Sequence, residues 1–381
     1  MNCRGPGLYV HVPFCGSVCP YCDFAVVLAG EARREGWVRG VVAEARMWAG
    51  LGLRFDTLYL GGGTPSCLRS EQLDEVLTGL RKVLRVDPDA AVTLEANPED
   101  VTPERAVAWR ELGVSHLSVG VQSFDDRTLA RLGRRHDGRR GAGAVETALA
   151  AGFHWVSADL IFGLEGQSEG AWGRDLDRAA GLGVHHLSCY QLTVHEGTVF
   201  GRRRDRGELR ELNEARQAGL YRVAHARPAD HGYAAYEVSN FAAAPEHRSR
   251  HNLKYWSHVP YLGLGPSAHS FDGRRRWWNR RKLRLWQRDV DAGRPPVEGE
   301  EVLSRGQLAL EMVLLGLRTA EGVDLMRLRR VTGVALAERN RRLIGQLEAE
   351  GLVELGSERL RPTRAGLAVA DGLAGRLEVE G

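Results

Sequence analysis

The chain has 381 residues, 43% of them hydrophobic, and a formal net charge of +3, which suits a folded protein with one large domain and one smaller one. No run approaches the roughly 18 apolar residues of a membrane-spanning helix, and the basic residues are arginines dispersed along helical segments rather than gathered into a nucleic-acid footprint. Six cysteines are sparse and no secretory signal is read, so no disulfide framework is expected, and a soluble cytoplasmic protein with no nucleic-acid partner is.

The first apolar run, LYVHV from Leu8, reads as a strand that feeds a loop carrying Cys15, Cys19 and Cys22 at C-x3-C-x2-C. Thiolates are soft ligands for zinc or iron–sulfur clusters, and three of them leave a four-position site one ligand short. Besides chance clustering of reduced structural thiols, two readings stay open on these residues alone. A [4Fe–4S] cluster would be held at three irons, with the fourth open to a bidentate small molecule. A zinc ion would need a further ligand, for which His11 stands nearby, although zinc sites usually pair two C-x2-C knuckles and no second knuckle follows. The other cysteines are scattered: Cys3, Cys67 in a loop, and Cys189 in HLSCYQL, where a thiol serves as a small buried hydrophobe.

Five more apolar runs follow: DTLYL from Asp56, AVTLEA from Ala91, HLSVGVQ from His116, WVSADLIFGL from Trp155 and HHLSCYQL from His185. Segments of helical period separate them, such as SEQLDEVLTGLRKVL from Ser70 and ERAVAWRELG from Glu104, with Ser70 and Thr102-Pro103 read as helix starts. Strands alternating with helices mean parallel pairing. Six units are too few for a closed eight-stranded barrel, so an open (β/α)6 barrel is expected over residues 1–230, its wide side admitting a large substrate.

In such a barrel, polar residues at the C-terminal strand ends face the mouth. That places Glu95, Gln122, Asp159, Tyr190 and Gln191 on the same rim as the cysteine loop. The second run ends in Gly61-Gly62-Gly63-Thr64-Pro65, where missing side chains let a ligand approach the backbone. Arg202 to Arg206, RRRDR, reads as a solvated loop.

The pattern changes after about Arg227. HGYAAYEVSNFA, RHNLKYWSHVPYLGLGPSAHSF and RRRWWN hold aromatics, histidines and glycines with little helical period, and residues 231–295 read as loops and short strands over the open side of the barrel. Pro295-Pro296 and EGEE read as a linker. Over residues 296–381 the capping box Ser304-x-x-Gln307 opens the apolar helix LALEMVLLGL. A helix ending at Gly351, the strand-like runs LVEL and RLRP, and a final helix capped by Thr363 complete a winged-helix-like α+β module. Its modest charge favours packing or partner contact over DNA.

Taken in order, YVHVPFCGSVCPYCDF, LGGGTPS, LEANP, SVGVQSF, DLIFGL, YEVSNFA, HNLKYW and YLGLGPSAHS resemble the HemN-like radical S-adenosylmethionine (SAM) family over essentially the whole chain. The resemblance implies an α/β fold, an open partial TIM-type barrel with a winged-helix-like C-terminal module. It implies that Cys15, Cys19 and Cys22 bind a [4Fe–4S] cluster whose open iron takes the amino and carboxylate groups of SAM, for reductive cleavage to a 5′-deoxyadenosyl radical. It further implies that Tyr9, Tyr21, Gly62, Gly63, Thr64, Glu95, Gln122, Arg134 and Asp159 line the SAM site. There Arg134 would pair with the SAM carboxylate, Glu95 and Asp159 would accept from a ribose or a cation, and Tyr21 would pack beside adenine.

HNLKYW matches an HNxxYW string associated with heme in relatives, which implies His251 as axial ligand with Tyr255 and Trp256 stacked on the porphyrin, and His269 second to it. Ser249 stands where relatives often carry a cysteine. The oxygen-independent coproporphyrinogen III oxidases of the family carry one more cysteine two positions beyond the third, where this chain has Phe24, and a longer segment than the 14 residues found here ahead of Cys15. Both differences point to the heme-chaperone branch. The partners implied are heme, an acceptor heme protein met transiently at a membrane, and a second copy of the chain. Oxidative decarboxylation of coproporphyrinogen III is the alternative.

Overall fold

A computed structural model of the chain describes residues 5–28 and 30–379, and Cys3 lies outside the described residues. Strand β1 (Gly7–Val12) leads through the cysteine loop to helix α1 (Glu31–Trp48) and β2 (Arg54–Gly62). Then α2 (Ser70–Val83), β3 (Arg85–Ala96), α3 (Pro103–Glu111), β4 (His116–Gln122), α4 (Asp126–Arg131), α5 (Gly138–Ala150), β5 (Trp155–Phe162), α6 (Glu169–Gly181) and β6 (His186–Gln191) continue the alternation. The six strands lie side by side in chain order, each neighbouring pair parallel, as in a barrel wall that does not close on itself.

Period-two alternation along each strand decides which residues see the helices. Leu8 and Val10, Leu58 and Leu60, Val92 and Leu94, Leu117 and Val119, Val156 and Leu160, and Leu187 are all at most 1% exposed and pack with Trp37, Trp109 and Trp172 in one core. Each such side chain contributes roughly 1.5–3 kcal/mol by leaving water. The intervening residues, among them Tyr9, Tyr59, Glu95, Ser118, Asp159 and Tyr190, therefore face the barrel interior, which is polar.

Caps set the helix starts. Side chains of Thr102, Asp125, Asp137 and Ser168 accept from backbone amides in the first turns of α3, α4, α5 and α6. Ser70 is not a cap but the first residue of α2. The cap is Arg69, whose amide donates to the Gln72 side chain at 3.1 Å, as the three-residue spacing of a capping box requires.

The second half departs further from expectation. After β6 come α7 (Val199–Asp205), α8 (Glu214–Asp230), β7 (Ala234–Ala235), β8 (Asn240–Ala242), α9 (Arg250–Trp256), β9 (Tyr261–Leu264), β10 (His269–Phe271), β11 (Arg275–Asn279), α10 (Leu283–Asp291) and β12 (Val297–Val302). Arg202 to Asp205 are helical rather than loop, because the Thr198 hydroxyl caps α7. The segment after Arg227 does more than cover an open side. It extends the sheet at both edges, β8 and β7 antiparallel beside β6, and β9 parallel to β1 with β10, β11 and β12 following antiparallel. The presumed linker is the edge strand β12. Pro295 and Pro296 fall just before it, where no ladder amide is needed, and Glu300 and Glu301 pair across the ladder with Arg275 and Arg276.

The C-terminal module comprises α11 (Arg305–Leu317), β13 (Val323–Asp324), α12 (Leu325–Thr332), α13 (Leu336–Arg339), α14 (Arg341–Ala349), β14 (Val353–Leu355), β15 (Arg359–Pro362), α15 (Arg364–Leu367) and α16 (Ala370–Arg376). Its three strands pair antiparallel in the order β13, β15, β14, and it has its own apolar core from Ala309 to Val379. Ser304 and Gln307 form both halves of the capping box on α11. Among the described residues no helix is long and apolar enough to cross a membrane.

Candidate cluster and cofactor site

The cysteine loop leaves the end of β1 and is tied back to it. Val27 N donates to Pro13 O at 2.7 Å, Cys15 N to Val27 O at 3.2 Å, and a tight turn joins Cys22 N to Cys19 O at 3.0 Å. His11 pins the loop from below. Its Nε2 faces Ala25 O at 3.0 Å, which fixes the tautomer so that Nδ1 accepts from the Tyr9 hydroxyl at 3.1 Å. With both ring nitrogens engaged, His11 offers no fourth ligand, which removes the ground for zinc at this place. Among the described residues no three His, Cys, Asp or Glu side chains, these cysteines included, are gathered closely enough to hold a single metal ion.

The glycines at the end of β2 seat this loop. Gly62 has φ of +107°, and a Cβ on it would lie 2.4 Å from the His11 ring. A Cβ on Gly63 would lie 2.7 Å from the carbonyl oxygens of Val12 and Phe14, the first of which accepts from the Gly63 amide at 2.8 Å. Close backbone contact between the two loops thus needs both glycines. Next to them, the Thr64 hydroxyl donates to Cys15 Sγ at 3.3 Å.

A cavity of about 480 Å³ opens above the three thiols. Tyr21, Gly62, Gly63, Thr64, Glu95, Gln122, Arg134 and Asp159 all line it, together with Tyr190 and Gln191 from the end of β6. Tyr9 does not; it lies deeper in the barrel, its ring stacked on Tyr59 at 6.2 Å. Arg134 reaches Cys19 Sγ at 3.5 Å, Asn97 Oδ1 at 2.6 Å and Gly120 O at 3.1 Å, while its buried Nε has no partner among the described residues. Glu95 accepts from the Tyr59 hydroxyl at 2.8 Å and from Gly62 N at 3.1 Å, yet burial pushes its carboxyl up to about 7. Burial likewise raises Asp159, against hydrogen bonds from Ser118 at 2.7 Å and Ser157 at 2.9 Å.

Gln122 sits at φ of +66°, a conformation costly for a residue with a Cβ, where the β4–β5 register shifts. The shift places its side chain at the rim of the cavity. Burial raises the Cys15 thiol, and it raises the Cys22 thiol to about 11. Binding to iron reverses that preference, since a coordinated thiol is deprotonated. The donor set fits a cluster: three soft ligands on one loop, with a hydroxyl donor on one sulfur and a guanidinium beside another.

The cavity residues that escaped the reading of the strings include Asn97 and Tyr59. The signal for both was available. Asn97 follows the strand end in LEANP, and Tyr59 is inward by alternation, two residues before Gly61.

Helix α9 carries HNLKYW on the far side of Tyr59. His251 is 3% exposed, its Nδ1 meets the Thr57 hydroxyl at 2.9 Å, its Nε2 meets the Tyr255 hydroxyl at 2.8 Å, and its ring stacks on Tyr59 at 5.0 Å. In this structure neither nitrogen is open to a ligand, and burial pushes the imidazole down to about 3. Lys254, 1% exposed, bonds to Asp56 and to Gly5 O, and Asp56 also holds Arg250 at 2.8 Å. Ser249 caps the helix through Asn252 N at 3.3 Å. Tyr255 and Trp256 at its C-terminal end border surface cavities, while His269 stands exposed on β10.

The Radical SAM superfamily model matches residues 9–179, and the HemN C-terminal domain model matches residues 303–369. The heme chaperone HemW of Mycobacterium tuberculosis (strain H37Rv) is 38% identical over 96% of this chain and 93% of its own length. That of Bacillus subtilis (strain 168) is 33% identical over 91% and 92%, and that of Escherichia coli (strain K12) 37% over 69% of each. The solved coproporphyrinogen III oxidase HemN of Escherichia coli, a radical SAM enzyme, superposes with a TM-score of 0.83 over 98% of this chain and 90% of that one, at 22% identity, a likeness of fold. Kinship of this extent, running nearly end to end through the cluster loop and the C-terminal module alike, places the chain in the heme chaperone HemW family of radical SAM proteins.

Proposed function

We propose that this protein is a heme chaperone that holds a [4Fe–4S] cluster and SAM in the barrel, carries heme beside helix α9, and passes it to an acceptor heme protein. The observation that carries this reading is the end-to-end identity of 33–38% to proteins named heme chaperone HemW. Cys15, Cys19 and Cys22 would each supply one thiolate, and the loaded cluster with SAM supplies one-electron chemistry. The chain's own residues prepare the place. Thr64 donates to one sulfur, Arg134 sets a cation beside another, and Glu95 with Asp159 presents acceptors for the polar parts of SAM, with Tyr21, Gly62, Gly63 and Gln122 as walls. Tyr9 supports from below through His11.

Tyr255 and Trp256 offer the aromatic surface for heme, and His251 anchors the helix that bears them. Residues 1–230 would hold the cofactors, residues 231–295 would form the heme-facing part, and residues 296–381 would contact the partner. The chaperone works in the cytoplasm, pairs with a second copy on loading its cluster, and meets a membrane-associated acceptor transiently.

The test is anaerobic reconstitution followed by titration with hemin and mixing with an apo heme protein. A Soret band that appears on the chaperone and then moves to the acceptor is expected. No bound heme, or conversion of coproporphyrinogen III to a decarboxylated product with SAM and a reductant, would overturn the reading.

A further inference from the structure

We propose that His186 is a positioning residue for the cofactor cavity, acting with Tyr236 through a one-way relay of hydrogen bonds that starts at the cap of helix α9 and ends on Asp159. The inference deepens the cofactor part of the proposed function and rests on it. Asp159 lines the cavity, whereas His186 and Tyr236 do not. They stand behind it, in the strings HHLSCYQL and YEVSNFA, and both are wholly buried.

Four hydrogen bonds join end to end. The Ser249 amide meets the Tyr236 hydroxyl at 3.2 Å, that hydroxyl meets His186 Nε2 at 2.8 Å, His186 Nδ1 meets the Ser157 hydroxyl at 2.9 Å, and Ser157 donates to Asp159 Oδ1 at 2.9 Å. The two ends set the direction. An amide only donates and a carboxylate only accepts, so Ser157 spends its one hydrogen on Asp159 and turns a lone pair to His186. The ring then carries its proton on Nδ1, Nε2 accepts from Tyr236, and the Tyr236 oxygen accepts from Ser249. The other tautomer would set two lone pairs face to face at Ser157 and strand the Tyr236 hydrogen in the interior, where a polar group without a partner is costly.

Burial pushes the His186 imidazole down to about 3, with His247 and His116 acting the same way, so the ring is neutral and has one proton to place. Ser118 donates to the other Asp159 oxygen at 2.7 Å, and Ser188 supports the carboxylate too. The titratable groups that share its surroundings are Glu95, Tyr59, Tyr190 and Cys189. Donors fixed behind a carboxylate decide which lone pairs it turns to a ligand. The relay therefore aims Asp159 at the cavity from below. It also ties that aim to Ser249, so the cavity wall and the start of α9 share one hydrogen-bonded frame.

Two-bond nitrogen–proton spectra of the histidine rings, recorded on the full chain with its cluster oxidised and SAM bound, report the His186 tautomer, the signal being assigned by its loss in His186→Asn. A ring protonated on Nδ1 alone is expected. Tyr236→Phe removes only the hydroxyl and should move the Nε2 resonance while Nδ1 stays protonated. Equilibrium dialysis then compares SAM affinity among the cluster-loaded proteins. His186→Leu should bind SAM about tenfold more weakly, the scale on which supporting outer groups act, and His186→Asn, whose amide still donates to Ser157, should recover most of that loss. Should His186→Leu not fold, the Tyr236→Phe resonance carries the test. A wild-type ring protonated on Nε2, an unmoved Nε2 resonance in Tyr236→Phe, or equal SAM affinity in His186→Asn and His186→Leu would overturn the relay and leave the cofactor reading standing. No SAM on the loaded wild type would overturn both.

Discussion

In the barrel cavity, polar groups are held in place yet keep capacity: among the described residues the Arg134 Nε has no partner, Glu95 and Asp159 border open space, and the Thr64 hydroxyl donates to the Cys15 sulfur. In helix α9 the polar groups are closed on each other. His251 has both nitrogens bonded, Lys254 lies between Asp56 and Gly5, and the Ser249 hydroxyl caps the helix. A ligand site needs open coordination positions and unmade hydrogen bonds. A structural pin needs them all made, because a buried polar group without a partner costs about 1–3 kcal/mol. Two equally distinctive strings thus differ in how far their polar groups are already paired, and the difference shows only when each side chain's partners are followed.

The largest effects should separate the two regions. Cys19→Ala is expected to abolish bound iron and sulfide in anaerobically reconstituted protein, measured chemically and by the loss of brown absorbance, while the thermal midpoint of the unloaded protein stays within a few degrees. At α9 the order reverses. Asp56→Ala leaves Lys254 buried without its counter-ion and is expected to cost about 3–5 kcal/mol in denaturant unfolding, with cluster binding retained in the fraction that folds. The pair Asp56→Leu with Lys254→Met should recover most of that loss. A cost below about 1 kcal/mol for Asp56→Ala would mean the ion pair is not what fixes the helix, and the contrast would fail.

Much of the cavity was legible in the sequence because barrels put function at strand ends. Glu95 and Gln122 each end an apolar run and Asp159 sits within one, on its inward face by alternation, and the cysteine spacing is local. The six parallel strands were legible for the same reason, each being a run of aliphatic residues followed by helical period. The edges of the sheet were not. YLGL of β9 is four residues set between a proline and a glycine turn, too short to announce itself, and its partner β1 lies some 250 residues earlier, a pairing no local pattern encodes. The glutamates of β12 were read as a solvated linker because their arginine partners lie on another strand. At His251 the residue type suits iron, but the hydrogen bonds of its two nitrogens to Thr57 and Tyr255 were not legible, because Thr57 lies on strand β2 nearly 200 residues earlier.

A pH series sharpens the contrast at intermediate size. His251 has a folded pKa near 3 because burial disfavours its charge, against about 6.5 unfolded. The unfolded chain therefore binds more protons below pH 6.5, so this histidine's contribution is complete above that value and is lost as pH falls toward 3. At pH 5 the loss amounts to about 2 kcal/mol. His116 and His186, also near 3, act in the same direction, whereas Glu44 and Glu237, raised by burial to about 7, act oppositely. The informative quantity is therefore the difference between wild type and His251→Gln. Stability at pH 7.5 and pH 5 should differ between the two proteins by about that 2 kcal/mol, and parallel curves would show that the ring is not closed off from water.

The cavity should show the smallest and opposite signature, in ligand binding rather than in stability. Glu95 stands near 7, raised by burial against the hydrogen bonds from Tyr59 and Gly62, so at pH 6 most of it is protonated. A ligand bearing positive charge, as the sulfonium of SAM does, favours the carboxylate and must displace that proton. Affinity for SAM is then expected to rise from pH 6 to pH 8 by at most about tenfold, read by equilibrium dialysis on the cluster-loaded protein. S-adenosylhomocysteine, which lacks the sulfonium charge, should show a flatter profile, and Glu95→Gln should bind SAM more weakly and without the rise. A slope that survives in Glu95→Gln would assign the proton to Asp159, the other carboxyl that burial raises at the cavity wall. The contrast between an open cavity and a closed helix would then hold, but with the titrating acceptor on β5 instead of β3.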